Sequence, residues 1–384
     1  MLKRVRHLRA LTGLIAHNRV TAILGARQVG KTTLARQLLA QRRGATKYFD
    51  LEDSADRRRF DDPMLVLRGL GGVVVIDEVQ RCPELFAPLR VLADRPRGAR
   101  FVVLGSAAPE LLRQSSESLA GRITFYEIGG LALDEIERRD SARLWLRGGF
   151  PRSLLARTDA LSMAWRQDFT RTFVERDVAQ LSLGIPAATL ERFWSKIAHY
   201  HGQIWNASEL GRAFGVAHTT VARYLDLLTA TFVVRQLPAW HENLSKRQVK
   251  APKVYVTDPG ILHTLLGIET REDLERHPKV GASWEGFALG QVLERTGARR
   301  REAYFWATHS GAELDLLLVR GRHRRGFEFK RTDAPGVTPS MRTALVDLGL
   351  DSIDVIYPGD ETFPMADRVR AVGITRVWQD IAPL

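Results

Sequence analysis

The sequence contains 384 residues, of which 45% are hydrophobic and 26% are charged, as expected for a globular protein of two or three domains. Its single cysteine, Cys82, excludes an intramolecular disulfide and a zinc site built from several cysteines. No apolar run reaches the roughly 18 residues that a membrane span requires, so we expect a cytoplasmic protein with no membrane partner.

The charge balance favours a polyanionic partner. The chain has 57 Lys and Arg against 44 Asp and Glu, which leaves a net charge of +13. Basic domains commonly bind nucleic acid through its phosphates, so nucleic acid is the first partner to consider. An arginine-rich proteome would produce the same excess without any such partner, so the charge alone leaves both interpretations open.

Roughly the first 130 residues alternate apolar strands with helical stretches. Near-continuous runs of Val, Ile and Leu are typical of parallel strands that are buried on both faces. The alternation predicts a doubly wound α/β domain with a parallel sheet. The predicted strands are Val20–Leu24, Thr46–Leu51, Val73–Ile76, Phe101–Leu104 and Ile123–Ile128, and the helical patterns include Thr32–Ala40 and Glu84–Ala93.

A phosphate-binding loop joins the first strand to the first of these helices. Gly25 and Gly30 permit a tight turn whose backbone N–H groups face phosphate oxygens, and the helix adds the positive end of its dipole. Lys31 is expected to reach the β- and γ-phosphates, and the Thr32 hydroxyl is expected to bind Mg²⁺. The predicted ligand is a nucleoside triphosphate with Mg²⁺, bound by Gly25, Ala26, Arg27, Gln28, Val29, Gly30, Lys31, Thr32 and Thr33.

Two later strands end in polar residues that suit hydrolysis. The strand Val73–Ile76 runs directly into Asp77 and Glu78. Asp77 is expected to bind Mg²⁺ through water, and Glu78 is expected to be the general base that polarises the attacking water. Ser106 follows the next strand and is a sensor candidate for the γ-phosphate, although a helix N-cap would use the same residue type.

Arg122 precedes the last predicted strand of this domain and is a candidate arginine finger for a neighbouring subunit. Phosphoryl transfer benefits from an arginine that stabilises the developing charge. A solvated arginine, or one that faces nucleic acid, is the alternative interpretation. Because a finger acts on another subunit, this prediction includes a homo-oligomer.

A helix-turn-helix pattern follows residues 131–201, which are predicted to be mainly helical. A short helix begins at Ser208, a turn follows, and a second helix covers Thr219–Thr231. Phe232–Leu237 would form the first strand of a wing. This pattern predicts a winged helix whose second helix enters the major groove of DNA.

The start of that second helix and a basic cluster beyond the wing strand suit DNA contacts, because bases and phosphates are met there. A winged helix that serves only packing or oligomerisation is the alternative, since the fold does not determine the function. The predicted contacts are His218, Thr219, Thr220, Arg223, Lys246, Arg247 and Lys250, with Lys253 just beyond them.

The last part of the chain predicts a mixed α/β domain with a cluster of carboxylates. Asp315 lies on one predicted strand, and Glu328 and Lys330 lie on the same face of the next, because side chains alternate along a strand. In a nuclease, Asp315 and Glu328 would hold a divalent metal, Lys330 would stabilise the attacking hydroxide, and Glu285 would add a ligand from a helix. The alternative is a retained fold whose carboxylates pair with arginines. The predicted strands are Tyr304–Trp306, Leu314–Val319 and Gly326–Phe329.

Together these motifs resemble a large prokaryotic family of predicted AAA+ ATPases that carry a C-terminal domain of unknown function, number 4143. The resemblance implies ATP as the nucleotide, a ring assembly that is commonly a hexamer, a winged helix, and a C-terminal domain similar to PD-(D/E)xK nucleases. Leu104 stands where the family often has threonine, which leaves the predicted role of Ser106 unchanged. The resemblance covers nearly the whole chain and rests on Gly25–Thr33, Ile76–Gln80, Leu104–Ser106, Leu119–Arg122, Gly148–Pro151, Lys253–Asp258, Trp284–Phe287, Gly311–Asp315 and Glu328–Lys330.

The predicted architecture has four parts: an AAA+ P-loop core over residues 1–130, a helical lid over 131–201, a winged helix-turn-helix over 202–250, and a restriction-endonuclease-like α/β domain over 251–384. The first functional hypothesis is an ATPase that binds DNA and remodels it or translocates on it, with branched DNA among the substrates. The second is an ATP-controlled regulatory switch whose nuclease-like domain is inactive. The third is an ATP-gated, metal-dependent DNA nuclease.

Overall fold

The computed structural model describes residues 2–95, 98–106, 119–178, 185–241 and 250–384. The chain divides into two compact units. The first unit extends to Gly130 and includes Ala230–Phe232, and the second contains Leu131–Thr229 and Val233–Leu384. Within the described residues, no helix is long and apolar enough to cross a membrane.

The first unit is built on a sheet of five strands. Their order across the sheet is β2-β3-β4-β1-β5 and every neighbouring pair is parallel. β1 and β3 are buried along their whole length, as expected for strands that are covered on both faces. The predicted parallel-sheet α/β fold is confirmed. The strands are β1 (Val20–Leu24), β2 (Thr46–Asp50), β3 (Val73–Asp77), β4 (Arg100–Gly105) and β5 (Ile123–Glu127).

Both helices predicted for the first unit differ from the prediction at their first residue, and the helix predicted over Thr32–Ala40 begins at Lys31. The helix predicted over Glu84–Ala93 begins at Phe86, because Pro83–Leu85 forms a turn of 3-10 helix instead. The Asp53 and Asp62 side chains cap two short helices by accepting hydrogen bonds from backbone N–H groups. The helices are α1 (Val5–His17), α2 (Lys31–Ala40), α3 (Ser54–Arg59), α4 (Pro63–Leu67) and α5 (Phe86–Ala93).

The second unit begins with helices and a small sheet. A π-helical segment, Phe173–Val178, extends the third of these helices. The small sheet is antiparallel in the order β6-β8-β7. The elements are α6 (Ser141–Arg147), α7 (Pro151–Leu154), α8 (Asp159–Thr172), α9 (Ala187–His199), α10 (Ala207–Phe214), α11 (His218–Ala230), β6 (Gln203–Ile204), β7 (Val234–Leu237) and β8 (Lys253–Val256).

The predicted wing strand is two residues shorter than expected. It begins at Val234 instead of Phe232, because Phe232 has a left-handed backbone with φ of +65° that interrupts the extended chain. The strand pairs with Lys253–Val256, so the basic residue predicted to follow the wing is itself part of the sheet.

A mixed sheet of six strands forms the C-terminal part of the second unit, in the order β13-β14-β12-β11-β10-β9. β9, β10 and β11 are antiparallel, whereas β11, β12 and β14 are parallel. The elements are α12 (Pro259–Leu265), α13 (Arg271–Arg276), α14 (Val280–Thr296), β9 (Ala303–Ala307), β10 (Glu313–Arg320), β11 (His323–Phe329), α15 (Pro339–Asp347), β12 (Ser352–Tyr357), β13 (Thr362–Ala366), β14 (Val369–Gly373) and α16 (Val377–Asp380).

Asp258 connects two motifs that are far apart in the sequence. Its Oδ1 accepts a hydrogen bond from the Ile261 N–H at 3.0 Å and thereby caps α12. Its Oδ2 accepts one from the Gly149 N–H at 2.7 Å. A Cβ at Gly148 would lie 2.0 Å from Oδ1, so only glycine fits beside this carboxylate. The Gly-Gly break and the strand-to-helix turn after β8 therefore form one joint.

We expect Asp258→Ala to lower the free energy of unfolding of the second unit by about 2 kcal/mol, because it removes a helix cap and leaves the buried Gly149 N–H without its partner. All eight tryptophans follow residue 131, so tryptophan fluorescence in a denaturant titration reports on this unit. Thr270→Ala, which removes only the cap of α13, is the control and should cost about 1 kcal/mol. Equal losses for the two variants would contradict the role given to the joint.

Candidate functional site

The loop between β1 and α2 has the shape of a phosphate-binding loop. Gly30 has a left-handed backbone with φ of +103° and stands directly before Lys31, the first residue of α2. A Cβ at Gly25 would lie 2.4 Å from the carbonyl oxygen of Ile128. Both predicted glycines are therefore required by the backbone, and the N-terminus of α2 opens onto the loop.

Lys31 is buried and directed into this loop. Its Nζ donates to the carbonyl oxygens of Gly25 and Ala26, both at 2.9 Å. Phosphate oxygens would compete with these two carbonyls for the same ammonium group. The side chain is thus held ready at the place where the loop would surround a phosphate chain.

Asp77 is the centre of the adjoining acidic site and is 3% exposed. Its Oδ2 accepts hydrogen bonds from the Thr32 hydroxyl at 2.7 Å and from the Tyr48 hydroxyl at 2.6 Å, and its Oδ1 accepts from the Glu78 N–H at 2.9 Å. The structure therefore brings together Thr32 and Asp77, the two residues predicted to hold Mg²⁺. A hydroxyl beside a carboxylate at the phosphate loop is a donor set that fits Mg²⁺.

Tyr48 is a site residue that the sequence motifs did not indicate. It lies on β2, next to β3, and its hydroxyl is bound to Asp77. Burial, followed by the hydrogen bond to the Asp77 carboxylate, raises the pKa of the Tyr48 phenol well above its ordinary value. The tyrosine thus stays a neutral donor, and its position is visible only once the two strands are paired.

Glu78 has an unusual backbone and an elevated proton affinity. Its φ of +52° and ψ of +45° lie in the left-handed region, which is uncommon for a residue with a side chain and is found at functional sites. Burial raises the pKa of its carboxyl, while the nearby Lys31 partly opposes that shift. A half-buried carboxylate with a raised pKa suits the predicted general base.

Gln80 links the two remaining polar residues of the site. Its Nε2 makes a short contact with Glu78 Oε2 and lies 3.4 Å from Ser106 Oγ. The structure thus places Glu78 and Ser106 on either side of one amide. Gln80 was part of the motif Ile76–Gln80, yet nothing in the sequence indicated that its side chain turns back towards the carboxylate.

Arg122 is engaged within its own chain. Its Nε and Nη2 donate to the two Asp94 carboxylate oxygens at 2.7 and 3.0 Å, and this bidentate pair lowers the pKa of Asp94. As an arginine finger, Arg122 would have to exchange Asp94 for a phosphate of a neighbouring subunit.

The predicted DNA contacts lie at the start of α11. His218, Thr219 and Arg223 are exposed and Thr220 is half-buried, while Val221 and three further residues of this helix face the core. Lys250 is exposed, whereas Lys246 and Arg247 lie outside the described residues. One surface of α11 is therefore available for a partner.

The predicted C-terminal residues form a cluster around a lysine that was expected elsewhere. Lys253, predicted to contact phosphate, is 4% exposed. Its Nζ lies 3.3 Å from Glu285 Oε1 and 3.6 Å from Asp315 Oδ1, and closer still to Glu313. Its place in the middle strand of a small sheet turns the side chain inward, which is why the phosphate-contact prediction was wrong.

The second lysine of this cluster is Lys330, which lies 2.6 Å from Glu328 Oε2 and 4.0 Å from Asp315 Oδ2. Burial, reinforced by the charge of Asp315, raises the pKa of Glu285 to about 7 and that of Glu328 to about 8. The carboxylates pair with lysines, not with the arginines of the alternative interpretation. In the described part of the chain, no group of three or more His, Cys, Asp or Glu residues is arranged to hold a metal.

We expect Lys253→Met to lower the free energy of unfolding of the second unit by about 3 kcal/mol at pH 8, because it leaves buried carboxylates without their cation. The loss should be smaller at pH 5, where Glu285, whose pKa is already raised to about 7, takes up a proton and sheds its charge. Lys250→Met, at an exposed lysine, is the matched control and should change stability by less than about 0.5 kcal/mol. A loss that is equal at both pH values would contradict this account.

Comparison with known families divides the chain into three segments. Residues 17–137 match a family described as an AAA domain. Residues 138–272 and 280–377 match two domains of unknown function, numbers 8612 and 4143. Uncharacterized proteins of Mycobacterium bovis and Mycobacterium tuberculosis are each 50% identical to this chain over 354 residues, which is 92% of this chain and 79% of each relative.

Two solved structures are similar to parts of this chain. A Walker-type ATPase of Pyrococcus abyssi is 14% identical and covers 69% of this chain and 96% of its own, with a TM-score of 0.48. The Holliday junction branch migration motor of Thermotoga maritima is 17% identical and covers 62% of this chain and 90% of its own, with a TM-score of 0.31. Both TM-scores lie below 0.5, so the fold assignment rests on the strand order and on the geometry of the loop.

Proposed function

This chain belongs to the AAA-domain family with a C-terminal domain of unknown function 4143, and we propose that it couples ATP hydrolysis to work on DNA. Its P-loop fold supports nucleotide binding and hydrolysis, and the coupling to DNA is the further step. The observation that carries the proposal is the convergence of Lys31, Thr32, Asp77 and Glu78 at one edge of the parallel sheet.

In the proposed reaction, the loop and Lys31 bind the phosphates of ATP, while Thr32 and Asp77 hold Mg²⁺. The metal supplies charge neutralisation at the phosphates when bound. Glu78 accepts a proton from the attacking water, and Gln80 orients the Glu78 carboxylate with respect to Ser106. Gln80 is a positioning residue in this scheme because it acts through Glu78.

We expect three substitutions to separate nucleotide binding from turnover. Lys31→Ala should weaken nucleotide binding, whereas Glu78→Gln should preserve binding and reduce turnover by about 100-fold or more. Gln80→Ala should lower kcat about tenfold and leave KM for ATP unchanged, since it misorients the base without touching the phosphates. Steady-state ATPase assays and binding of a fluorescent nucleotide measure these effects.

Gln41→Ala, at an exposed glutamine after α2, is the control for Gln80→Ala and should behave as the unaltered protein. Normal turnover in Glu78→Gln would refute the assignment of the base. If Gln80→Ala raises KM and leaves kcat unchanged, Gln80 contributes to substrate binding and does not orient the base.

Support for DNA as the partner comes from charge and exposure. The chain carries a net charge of +13, and the start of α11 presents His218, Thr219 and Arg223 to solvent. A helix in this arrangement can enter a major groove while nearby lysines contact phosphates. We propose branched DNA among the substrates and a homo-oligomer, with a hexamer as the first candidate, in which Arg122 reaches the neighbouring nucleotide.

We expect DNA to stimulate ATP turnover. We also expect DNA binding to weaken steeply with salt, so that the logarithm of the binding constant falls against the logarithm of the salt concentration with a slope of about −0.9 for each phosphate neutralised. Arg223→Ala should reduce the magnitude of that slope by about 0.9, the contribution of one phosphate contact. Arg157→Ala, at an exposed arginine outside α11, should leave the slope unchanged. ATPase assays with single-stranded, duplex and branched DNA, and binding titrations over a salt series, provide the measurements. Turnover that is the same with and without every DNA would exclude the coupling.

A second candidate function is favoured by the lysines in the C-terminal cluster. In this alternative, ATP binding controls assembly or partner binding, and the C-terminal domain cuts nothing. Slow turnover and an oligomeric state that changes with ATP in the absence of DNA are its expected signs. Light scattering with and without ATP distinguishes it, because an oligomeric state that ignores ATP would count against a switch.

A further inference from the structure

We infer that Lys253 is a built-in cation that takes the place of the divalent metal which the nuclease resemblance implies, and that the C-terminal domain therefore cuts no DNA by metal chemistry. The nuclease hypothesis needs Glu285, Asp315 and Glu328 to share a metal. The same carboxylates instead share two ammonium groups, those of Lys253 and Lys330.

The position of the Lys253 ammonium is the first argument. It lies 3.3 Å from Glu285 Oε1 and 3.6 Å from Asp315 Oδ1, between a helix residue and a strand residue that the nuclease hypothesis assigns to the metal. Mg²⁺ would need such oxygens at about 2.0–2.1 Å and would bring a double positive charge beside the ammonium. The ammonium group and the metal would compete for the same oxygens, and their positive charges would repel each other at such short distances. One cation therefore excludes the other.

The lysine is also anchored in place. Lys253 belongs to β8, the middle strand of a three-stranded sheet. All four residues of β8 are buried. Its Nζ lies 5.7 Å from the ring centre of Phe305, which adds a cation–π contact. Three carboxylates, those of Glu285, Asp315 and Glu313, form ion pairs with this ammonium group.

The carboxylate oxygens already have other partners. Glu285 Oε1 accepts a second hydrogen bond from the Tyr255 hydroxyl at 2.6 Å. Asp315 Oδ2 accepts one from the Phe329 N–H at 3.0 Å, and Glu328 Oε2 lies 2.6 Å from Lys330 Nζ. A metal would have to displace several of these contacts at once. The cluster therefore consists of carboxylates whose oxygens are already engaged by protein donors and ammonium groups.

Manganese binding to the full-length chain tests the inference without nucleotide. Asp77→Asn serves as the parent, so that the P-loop site contributes no metal and the result is independent of the proposed ATPase. Bound Mn²⁺ is measured by electron paramagnetic resonance for this parent and for the parent with Asp315→Asn. We expect the two proteins to bind equally little Mn²⁺, because Lys253 already occupies the cluster.

Lys253→Ala in the same parent is the gain-of-binding arm. It should bind about one Mn²⁺ per chain, and added Asp315→Asn should abolish that binding. Tryptophan fluorescence verifies that this variant is folded. The inference is overturned if the protein with intact Lys253 binds about one Mn²⁺ that Asp315→Asn removes, or if folded Lys253→Ala gains none. If Lys253→Ala does not fold, Mn²⁺ that is bound by the protein with intact Lys253 and removed by Asp315→Asn would still overturn the inference.

Discussion

The nucleotide site depends on the side-by-side arrangement of the carboxyl ends of β1, β3 and β4. Leu24 is paired with Gly105 and Ile76 with Val103, so the residues that follow these strands emerge at one edge of the sheet. Thr32 lies near this edge because α2 begins at Lys31, directly after the loop that follows β1. A register shift of one residue would turn Asp77 to the other face of the sheet and separate it from the loop.

Both clusters of this protein solve the same electrostatic problem in different ways. A buried charge is costly unless it is paired or hydrogen-bonded. In the first unit, Asp77 is satisfied by two hydroxyls and a backbone N–H, all of which are neutral donors. In the second unit, the carboxylates contact two lysines in addition to the Tyr255 hydroxyl and the Phe329 N–H. Neutral donors suit a site that exchanges ligands, whereas fixed ammonium groups suit a permanent one.

Asp258 and Gly148 belong to two sequence motifs that come into contact only in the folded chain. The two motifs were recognised separately, 109 residues apart, with no indication that they interact. Their contact explains both at once, since the glycine makes space for the carboxylate and the carboxylate binds the neighbouring N–H. Lys253 shows the opposite case, because its charge suggested a surface role that its position in β8 rules out.

The sequence by itself determined the parallel sheet, the phosphate loop and the acidic end of β3, because these features are local: a periodic run of apolar residues, a glycine turn and a strand end. The tertiary structure decided which side chains meet. Tyr48 reaches Asp77 only because β2 pairs with β3, and Gln80 reaches Ser106 only because β3 pairs with β4. Lys253 enters the C-terminal carboxylates from a different strand and sheet, and such contacts between distant segments depend on packing that no local pattern encodes.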